Sequence, residues 1–446
     1  MPPARSTFAP SGTEFVEWND IEQIERKVII GDMSAWERTA KTVGKRKRFQ
    51  FSLLKEIFLP FGYPASVSTD YMSYQIWDSF QALFSTLMMA ISTQKILVGM
   101  GVGDAAASAL SGAIAWILRD GISMISKIMF TWYTGTNLDD YNKTWRLAAD
   151  IFNDLSFIVD YSISFFPDFK IYILCISGIL KSIVGVSGGA TRMAITQHQA
   201  RDNNISDVSA KDGSQETLVN LLGLILSLTV LPLLGNNEQV TMIIFISLML
   251  AHLYSNWRAV KALNYETFNM NRLHIVCQQL VRSNQILSIK QVNKKEPLFG
   301  FAPNYRYSIK LGVPLIKSFA VGCESYLLKY RISFNNGDKS IYVSLSSDAS
   351  TEDILEAAIS ASIINTIIDA ALRCNRTPVE EMVEDIKLRR AIEILNSSNR
   401  CETDIICLVL EFMSKKRIML LDRLKHAGYD LTAFHFSIDS WRYSKR

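Results

Sequence analysis

A mainly α-helical fold, in which a polytopic helical membrane domain is followed by a smaller soluble α+β domain, is predicted by three features of this sequence. Two consecutive runs, 217–237 and 239–257, contain no Asp, Glu, Lys or Arg and are separated only by Glu238. Each matches the roughly 20 residues that cross a hydrocarbon core of about 30 Å. Upstream, the segment GMGVGDAAASALSGAIAW (99–116) is crowded with Gly, Ala and Ser, the composition that lets helix backbones approach closely in a bilayer. From about residue 265 the texture changes, and the β-rich runs SYLLKYRISF (325–334) and SIYVSLS (340–346) surround Asn336-Gly337, a dipeptide that suits a tight hairpin turn.

At 446 residues the chain exceeds what one hydrophobic core organises. We divide it into an N-terminal arm (1–57), a helical membrane domain (58–262) and a C-terminal α+β domain (263–446). The arm contains Trp18 and Trp36 and is too polar to span a membrane. Its basic run, Lys41, Lys45, Arg46, Lys47 and Arg48, reads as a solvated arm or a patch for anionic lipid. No amphipathic apolar face accompanies it, which favours the solvated arm. The first 25 residues have no apolar core and carry Glu14, arguing against a secretory signal and an Arg-rich transit peptide. A net charge of +4 is too small to imply nucleic acid. Six cysteines without a C-x-x-C pair suggest neither zinc nor a thioredoxin-like site; free thiols are expected.

Within 58–262 the uncharged stretches 79–94, 105–118 and 128–138 are interrupted by Lys95, Asp104 and Arg119-Asp120, and five to seven helical segments follow. In 217–237, nine Leu, two Val and one Ile at about −0.3 to −0.6 kcal/mol each contribute about −5 kcal/mol, largely offset by Asn220, Thr229, Pro232 and small residues. The short link Gly235-Asn236-Asn237-Glu238 makes the two runs a helical hairpin. Charges inside such a domain are costly unless paired or facing a cavity, so Asp104, Arg119, Asp120, Arg146, Asp150 and Lys181 are candidates for pairs or pathway residues; Arg119-Asp120 reads as a helix end. Lys and Arg occupy most short loops, so no orientation is assigned. In the C-terminal domain, Ser350-Thr351-Glu352-Asp353 resembles a capping box opening a helix through about Arg373, and Thr377-Pro378-Val379-Glu380 opens another. Ile405, Leu408, Val409 and Phe412 form a core-facing stripe.

The richest polar stretch lies between the apolar segments, in 187–223. Arg192, His198, Gln199, Arg201, Asp207, Lys211, Asp212, Gln215 and Glu216 form a polar loop that is the leading candidate for a ligand site. Gly185, Gly188 and Gly189 before Arg192 either break a helix to make an anion site or serve helix contact. A Schiff-base role for Lys211 requires desolvation, which a polar loop does not provide; a salt bridge is the better reading. His198 is either a proton exchanger or a hydrogen-bonded brace. No metal site and no catalytic constellation emerge.

Two passages carry a family resemblance: FLPFGYPASVSTDYMSYQIWDSFQ (58–81) and SGGATRMAITQHQARDNNISDVSAKDGSQETLVNLLG (187–223), supported by LRDGISMISKIMF (118–130) and LDDYNKTWRLAADIFNDLS (138–156). The chain resembles the root UV-B sensitive (RUS) family, also called the vitamin B6 photoprotection and homeostasis family, over about residues 50–260. The resemblance implies a connection with vitamin B6 balance, UV-B response and development, and no established reaction. The expectation is a membrane protein without catalytic chemistry, an adaptor or small-molecule carrier in an intracellular membrane, with membrane lipid and a family member or other protein as partners and no nucleic acid. Tyr63, Asp70, Tyr74, Trp77, Asp78 and Gln81 are expected to line its entrance. The alternatives are a pyridoxal phosphate-binding protein or enzyme, with Arg192 on the phosphate and Lys211 near the aldehyde, and a soluble helical interaction protein.

Overall fold

The computed structural model describes residues 14–19, 24–29, 47–102, 109–135, 137–235, 237–299, 306–318, 329–373, 383–397 and 402–444. The chain separates into two units, residues 1–69 with 200–215, and residues 70–199 with 216–446.

In the first unit, β1 (Glu14–Asn19) and β2 (Ile24–Ile29) pair antiparallel, with Glu14 opposite Ile29 and Asn19 opposite Ile24. The basic run of the arm ends in α1 (Lys47–Phe58), while Lys41, Lys45, Arg46 and Trp36 lie outside the described residues. Helix α1 exposes Leu53, Leu54 and Ile57.

The second unit begins with long helices. These are α2 (Tyr71–Gly99), α3 (Ala109–Thr134), the short α4 (Asn137–Asp140), α5 (Asn142–Ser162), α6 (Lys170–Gln199), α7 (Ile205–Leu234), whose first turns belong to the first unit, and α8 (Glu238–Ala262). Helix α5 packs on α6, α2 on α8, and α3 on α6. Glycine permits close approach at two places: a Cβ on Gly178 of α6 would clash with Ser123 Oγ of α3, and one on Gly223 of α7 would lie 2.8 Å from Thr86 Cγ2 of α2. The turn between α7 and α8 falls where the sequence places it, because the Asn237 side chain accepts the Val240 N–H and caps α8.

Two local expectations fail. Arg119-Asp120 lies inside α3 and ends no helix; the Arg119 guanidinium stacks 4.4 Å from the Trp116 ring, which replaces part of its hydration. Gly185, Gly188 and Gly189 neither break α6 nor meet a neighbour within 4 Å. A glycine costs only about 1 kcal/mol in a helix interior, and the surrounding turns of a 30-residue helix absorb that.

The C-terminal part follows with β3 (Phe268–Asn269), α9 (Met270–Ser283), α10 (Ile289–Lys295), β4 (Ser308–Leu311), α11 (Leu315–Ser318), β5 (Tyr330–Asn335), β6 (Ser340–Ser346), α12 (Thr351–Arg373), α13 (Ile386–Asn396), α14 (Glu402–His426), β7 (Phe434–His435) and β8 (Arg442–Tyr443). Strand β6 is central: β5 pairs with it antiparallel, and β4 and β8 pair with it parallel. The β5–β6 hairpin is the one expected, but its left-handed residue is Lys339 (φ 49°); the Asn335 side chain accepts the Gly337 N–H at 2.8 Å and shapes a longer connection. Ser350 and Asp353 form the reciprocal cap of α12. The Thr377–Glu380 start signal lies outside the described residues. Of the predicted stripe, Ile405, Val409 and Phe412 are buried and Leu408 packs against the same core. Cys175 and Cys277 are free thiols, whereas Cys407 is disulfide-bonded, a departure from the all-thiol expectation.

Among the described residues, five helices are long and apolar enough to cross a membrane: Tyr71–Gly99, Pro167–Gln199, Ile205–Leu234, Glu238–Ala262 and Thr351–Leu372. Burial divides them. The apolar window of α7 is 17% buried, that of α12 89%. Helix α12 is the core of the C-terminal part, with Leu355, Ile359, Ile363, Ile364 and Ile367 enclosed.

Candidate functional site

A buried polar column runs along the meeting line of α2, α5 and α8. It begins in the sequence of α5, where Asn142, Arg146, Asp150 and Asp154 recur every four residues and so share one face of a helix. Helix α2 supplies Tyr74, Asp78 and Gln81, and α8 supplies His252 and Asn256.

At one end, Asp70 Oδ2 accepts the Asn264 N–H at 2.6 Å and lies 3.0 Å from His198 Nε2. The His198 ring packs 4.6 Å from Tyr265, whose hydroxyl donates to Asn142 Oδ1 at 2.7 Å. Lys143 donates to Asn293 at 2.8 Å and sits 3.0 Å from Glu296, which also pairs with Arg272 at 2.8 Å. Burial alone would raise the Glu296 carboxyl, but Arg272 and Lys143 hold it below the ordinary carboxylate range. Burial pushes the Tyr265 hydroxyl upward, so it remains a donor.

One turn along, Arg146 pairs with Asp78 at 2.6 Å, and Tyr74 donates to the same carboxylate at 3.1 Å. In the next tier the His252 imidazole, fully buried, has Nδ1 2.8 Å from Asp154 Oδ1, and Nε2 2.9 Å from Gln81 Nε2 and 3.8 Å from Asp150 Oδ2. At the far end Glu238 receives the Tyr161 hydroxyl at 2.6 Å and pairs with Lys95, and Lys181 pairs with Asp160. In its middle tiers, where His252, Asp150 and Asp154 are buried, the column holds hydrogen-bond donors, acceptors and titratable groups out of water. Among the described residues no group of three His, Cys, Asp or Glu could hold a metal.

The sequence-predicted residues divide. Asp70, Tyr74 and Gln81 are buried on the column, Asp78 lies on it half-buried, and His198 braces Asp70. Trp77 packs edge-on to Tyr254 with the Arg258 guanidinium 4.5 Å from its ring. The polar loop is a loop only over 200–204: Arg192, His198 and Gln199 are on α6, and Asp207, Lys211, Asp212, Gln215 and Glu216 are on α7. These polar residues stay helical because their side chains find partners elsewhere. Arg192 pairs with Glu216 at 2.5 Å, both about 40% exposed, a pair worth at most about 1 kcal/mol. Gln199 and Asp212 are buried.

In the first unit, Asp207 accepts the Phe61 N–H at 2.7 Å, and Lys211 and Gln215 donate to the carbonyls of Glu56 and Phe58. Arg201 is exposed and its backbone N–H donates to the Ser66 carbonyl. Tyr63 precedes a cis proline, Pro64. Of the charges singled out within the helical region, Arg146, Asp150 and Lys181 have the partners described, and Asp104 lies outside the described residues. Asp154, His252, Lys143, Tyr161 and Glu238 were missed. The four-residue spacing of Asp154 from Asp150, and a histidine inside an otherwise uncharged run, were the available signals.

Residues 44–284 match a family model described as the vitamin B6 photo-protection and homoeostasis domain, and residues 285–445 match root UVB sensitive protein, C-terminal. RUS family member 1 of Dictyostelium discoideum is 41% identical over 286 residues, 63% of this chain and 54% of that protein. Protein root UVB sensitive 3 of Arabidopsis thaliana is 34% identical over 333 residues, 70% of this chain and 75% of the relative. Another relative from that plant, 23% identical over 345 residues, covering 76% of this chain and 77% of the relative, is protein root UVB sensitive 2, chloroplastic. No solved structure matches the chain.

Proposed function

The chain belongs to the root UV-B sensitive family, and from that premise we propose that it is an integral membrane protein without catalytic chemistry, whose helical bundle carries a small polar solute connected with vitamin B6 balance. The observation that carries this reading is an inversion of polarity. The outer faces of the long helices are apolar and exposed, and the polar groups are turned inward. On α3, Leu110, Ile117, Ile128 and Trp132 are 69–83% exposed, and on α7, Leu228 and Leu233 are 75% and 85% exposed. In water such faces would form a far larger apolar surface than soluble monomers tolerate; lipid is the solvent that suits them. Inside, ionisable residues gather across α2, α5 and α8, with Arg146 paired to Asp78, and such residues at membrane depth mark solute or proton pathways. Membrane lipid is therefore the first partner. An intracellular membrane is the proposed location, and a further protein partner, including another family member, is part of the adaptor version of this reading.

Carbonate extraction of the full chain beside a variant lacking residues 78–260 tests the premise. Retention of only the intact protein in washed membranes is the expected result, followed by solute uptake into liposomes containing it. Release of the intact chain as a soluble monomer would overturn the membrane reading and leave a helical interaction protein.

A further inference from the structure

We propose that Asp150, His252 and Asp154 form a proton-binding site at the centre of the bundle, and that proton uptake there reverses the Gln81 amide and so alters the α2–α8 contact. The proposal deepens the membrane reading above, from which it takes the low-dielectric surroundings.

Charge is the first argument. The titratable and charged groups grouped around His252 on the elements packed against α8 are Asp78 on α2 and Arg146, Asp150 and Asp154 on α5. Three carboxylates thus meet one guanidinium. With a neutral imidazole, two negative charges remain uncompensated among residues that are almost wholly enclosed: Asp150 and Asp154 are 6% and 3% exposed, and His252 is 0%. Buried charge of this kind is costly unless a counter-charge is supplied. One proton, on the imidazole or shared with Asp154 across their 2.8 Å contact, halves the surplus.

Hydrogen-bond direction is the second argument. An amide nitrogen only donates. Gln81 Nε2 lies 2.9 Å from His252 Nε2, an arrangement in which the ring accepts at that position and bears its hydrogen on Nδ1, the nitrogen 2.8 Å from Asp154 Oδ1. This is the neutral imidazole. A doubly protonated ring has N–H at both positions, and Gln81 must then present its oxygen. The two proton states therefore require opposite orientations of one α2 side chain.

The third argument is spare capacity. Asp150 Oδ2, both Asp154 oxygens, His252 Nδ1 and Asn256 Oδ1 have no hydrogen-bond partner among the described residues, although Asp154 is 3% and Asn256 0% exposed. Acceptors left idle inside a bundle are unusual, and here they border the ring that would gain the proton. The neighbouring polar atoms stand 2.8–3.8 Å from the ring nitrogens, and a proton is the cation that enters without parting the helices.

The test uses the full chain labelled with 15N-histidine in lipid nanodiscs, followed by NMR between pH 5 and 8. The sequence has five histidines, and His252→Gln identifies the signal. The expected result is that His252 passes from the Nδ1–H neutral tautomer to the doubly protonated ring within this range, and that Asp154→Asn weakens proton binding at least tenfold. Should His252→Gln not fold, the isosteric Asp154→Asn still marks the ring beside it by displacing its signal. A His252 ring unchanged from pH 5 to 8, or a titration untouched by Asp154→Asn, would overturn the proposal. Carbonate extraction reports separately: a chain retained in membranes with a silent His252 removes the proton site alone, and a chain released with a titrating His252 removes the membrane reading alone.

Discussion

Acidification should loosen the C-terminal core through one residue, His274 on α9. Its ring is 3% exposed, with Nδ1 3.2 Å from Ser362 Oγ and Nε2 3.0 Å from Gln278 Nε2. Burial pushes the His274 imidazole down from 6.5 to about 4, against a smaller opposing pull from Asp369. The native state therefore holds the ring neutral, and the unfolded chain takes the proton first as pH falls. Its stabilising effect is complete above pH 6.5, declines between 6.5 and about 4, and is flat below. A difference of about 2.5 pH units at about 1.36 kcal/mol each gives roughly 3 kcal/mol over that window. Amide hydrogen exchange on the full chain in detergent reads this directly. After correction for intrinsic rates, protection of α9 and α12 should fall by about two orders of magnitude between pH 7.5 and 4.5. Other groups titrate in the same window, so His274→Gln supplies the subtraction: most of the slope should disappear in it. An equal slope in the variant and the wild type would refute the assignment to this ring.

Gly223→Ala should lower the thermal midpoint, because the new methyl would sit 2.8 and 2.9 Å from Thr86 carbons and overpacking costs about 1–3 kcal/mol; Gly188→Ala, with nothing within 4 Å, should leave the midpoint unchanged or raise it. Glu296→Gln leaves Lys143 and Arg272 buried without their carboxylate, a loss of about 3–5 kcal/mol that limited proteolysis of the 263–299 region should register as faster cleavage. On addition of pyridoxal phosphate, no absorbance change dependent on Lys211 is expected, since its ammonium already donates to the Glu56 carbonyl at a half-exposed position. A change present in the wild type and lost in Lys211→Ala would instead support the vitamin B6-binding alternative.

Local chemistry was legible in the sequence, and pairing over distance was not. The runs 217–237 and 239–257 became α7 and α8 with Asn237 as cap, and Ser350 with Asp353 capped α12, because those signals act within a turn or two. Polar density over 191–199 and 205–216 suggests irregular backbone, yet that polarity is met by groups on other segments while the backbone stays helical. Asp70 finds His198 across 128 residues, and Arg146 finds Asp78 across 68, matches that no local period encodes. Hydropathy likewise does not separate α12, wrapped by the C-terminal core, from α7, which presents the same kind of side chain to the outside.

The Asp70 carboxylate touches both the last turn of α6, at His198, and the residue that follows the end of α8 closely, Asn264, at the start of α2. Three long helices thus meet at one fastening. A helix pinned at one end moves as a lever. With 29 residues at about 1.5 Å each, α2 reaches roughly 43 Å, so a tilt of about 5° at Asp70 displaces its far end by about 4 Å. The ion pair of Lys95 with Glu238 lies near that far end, where α2 and α8 are held by side chains alone. A rearrangement of the bundle would therefore be smallest beside the C-terminal part and largest at Lys95, and spin labels on α2 and α8 at both ends would record that gradient.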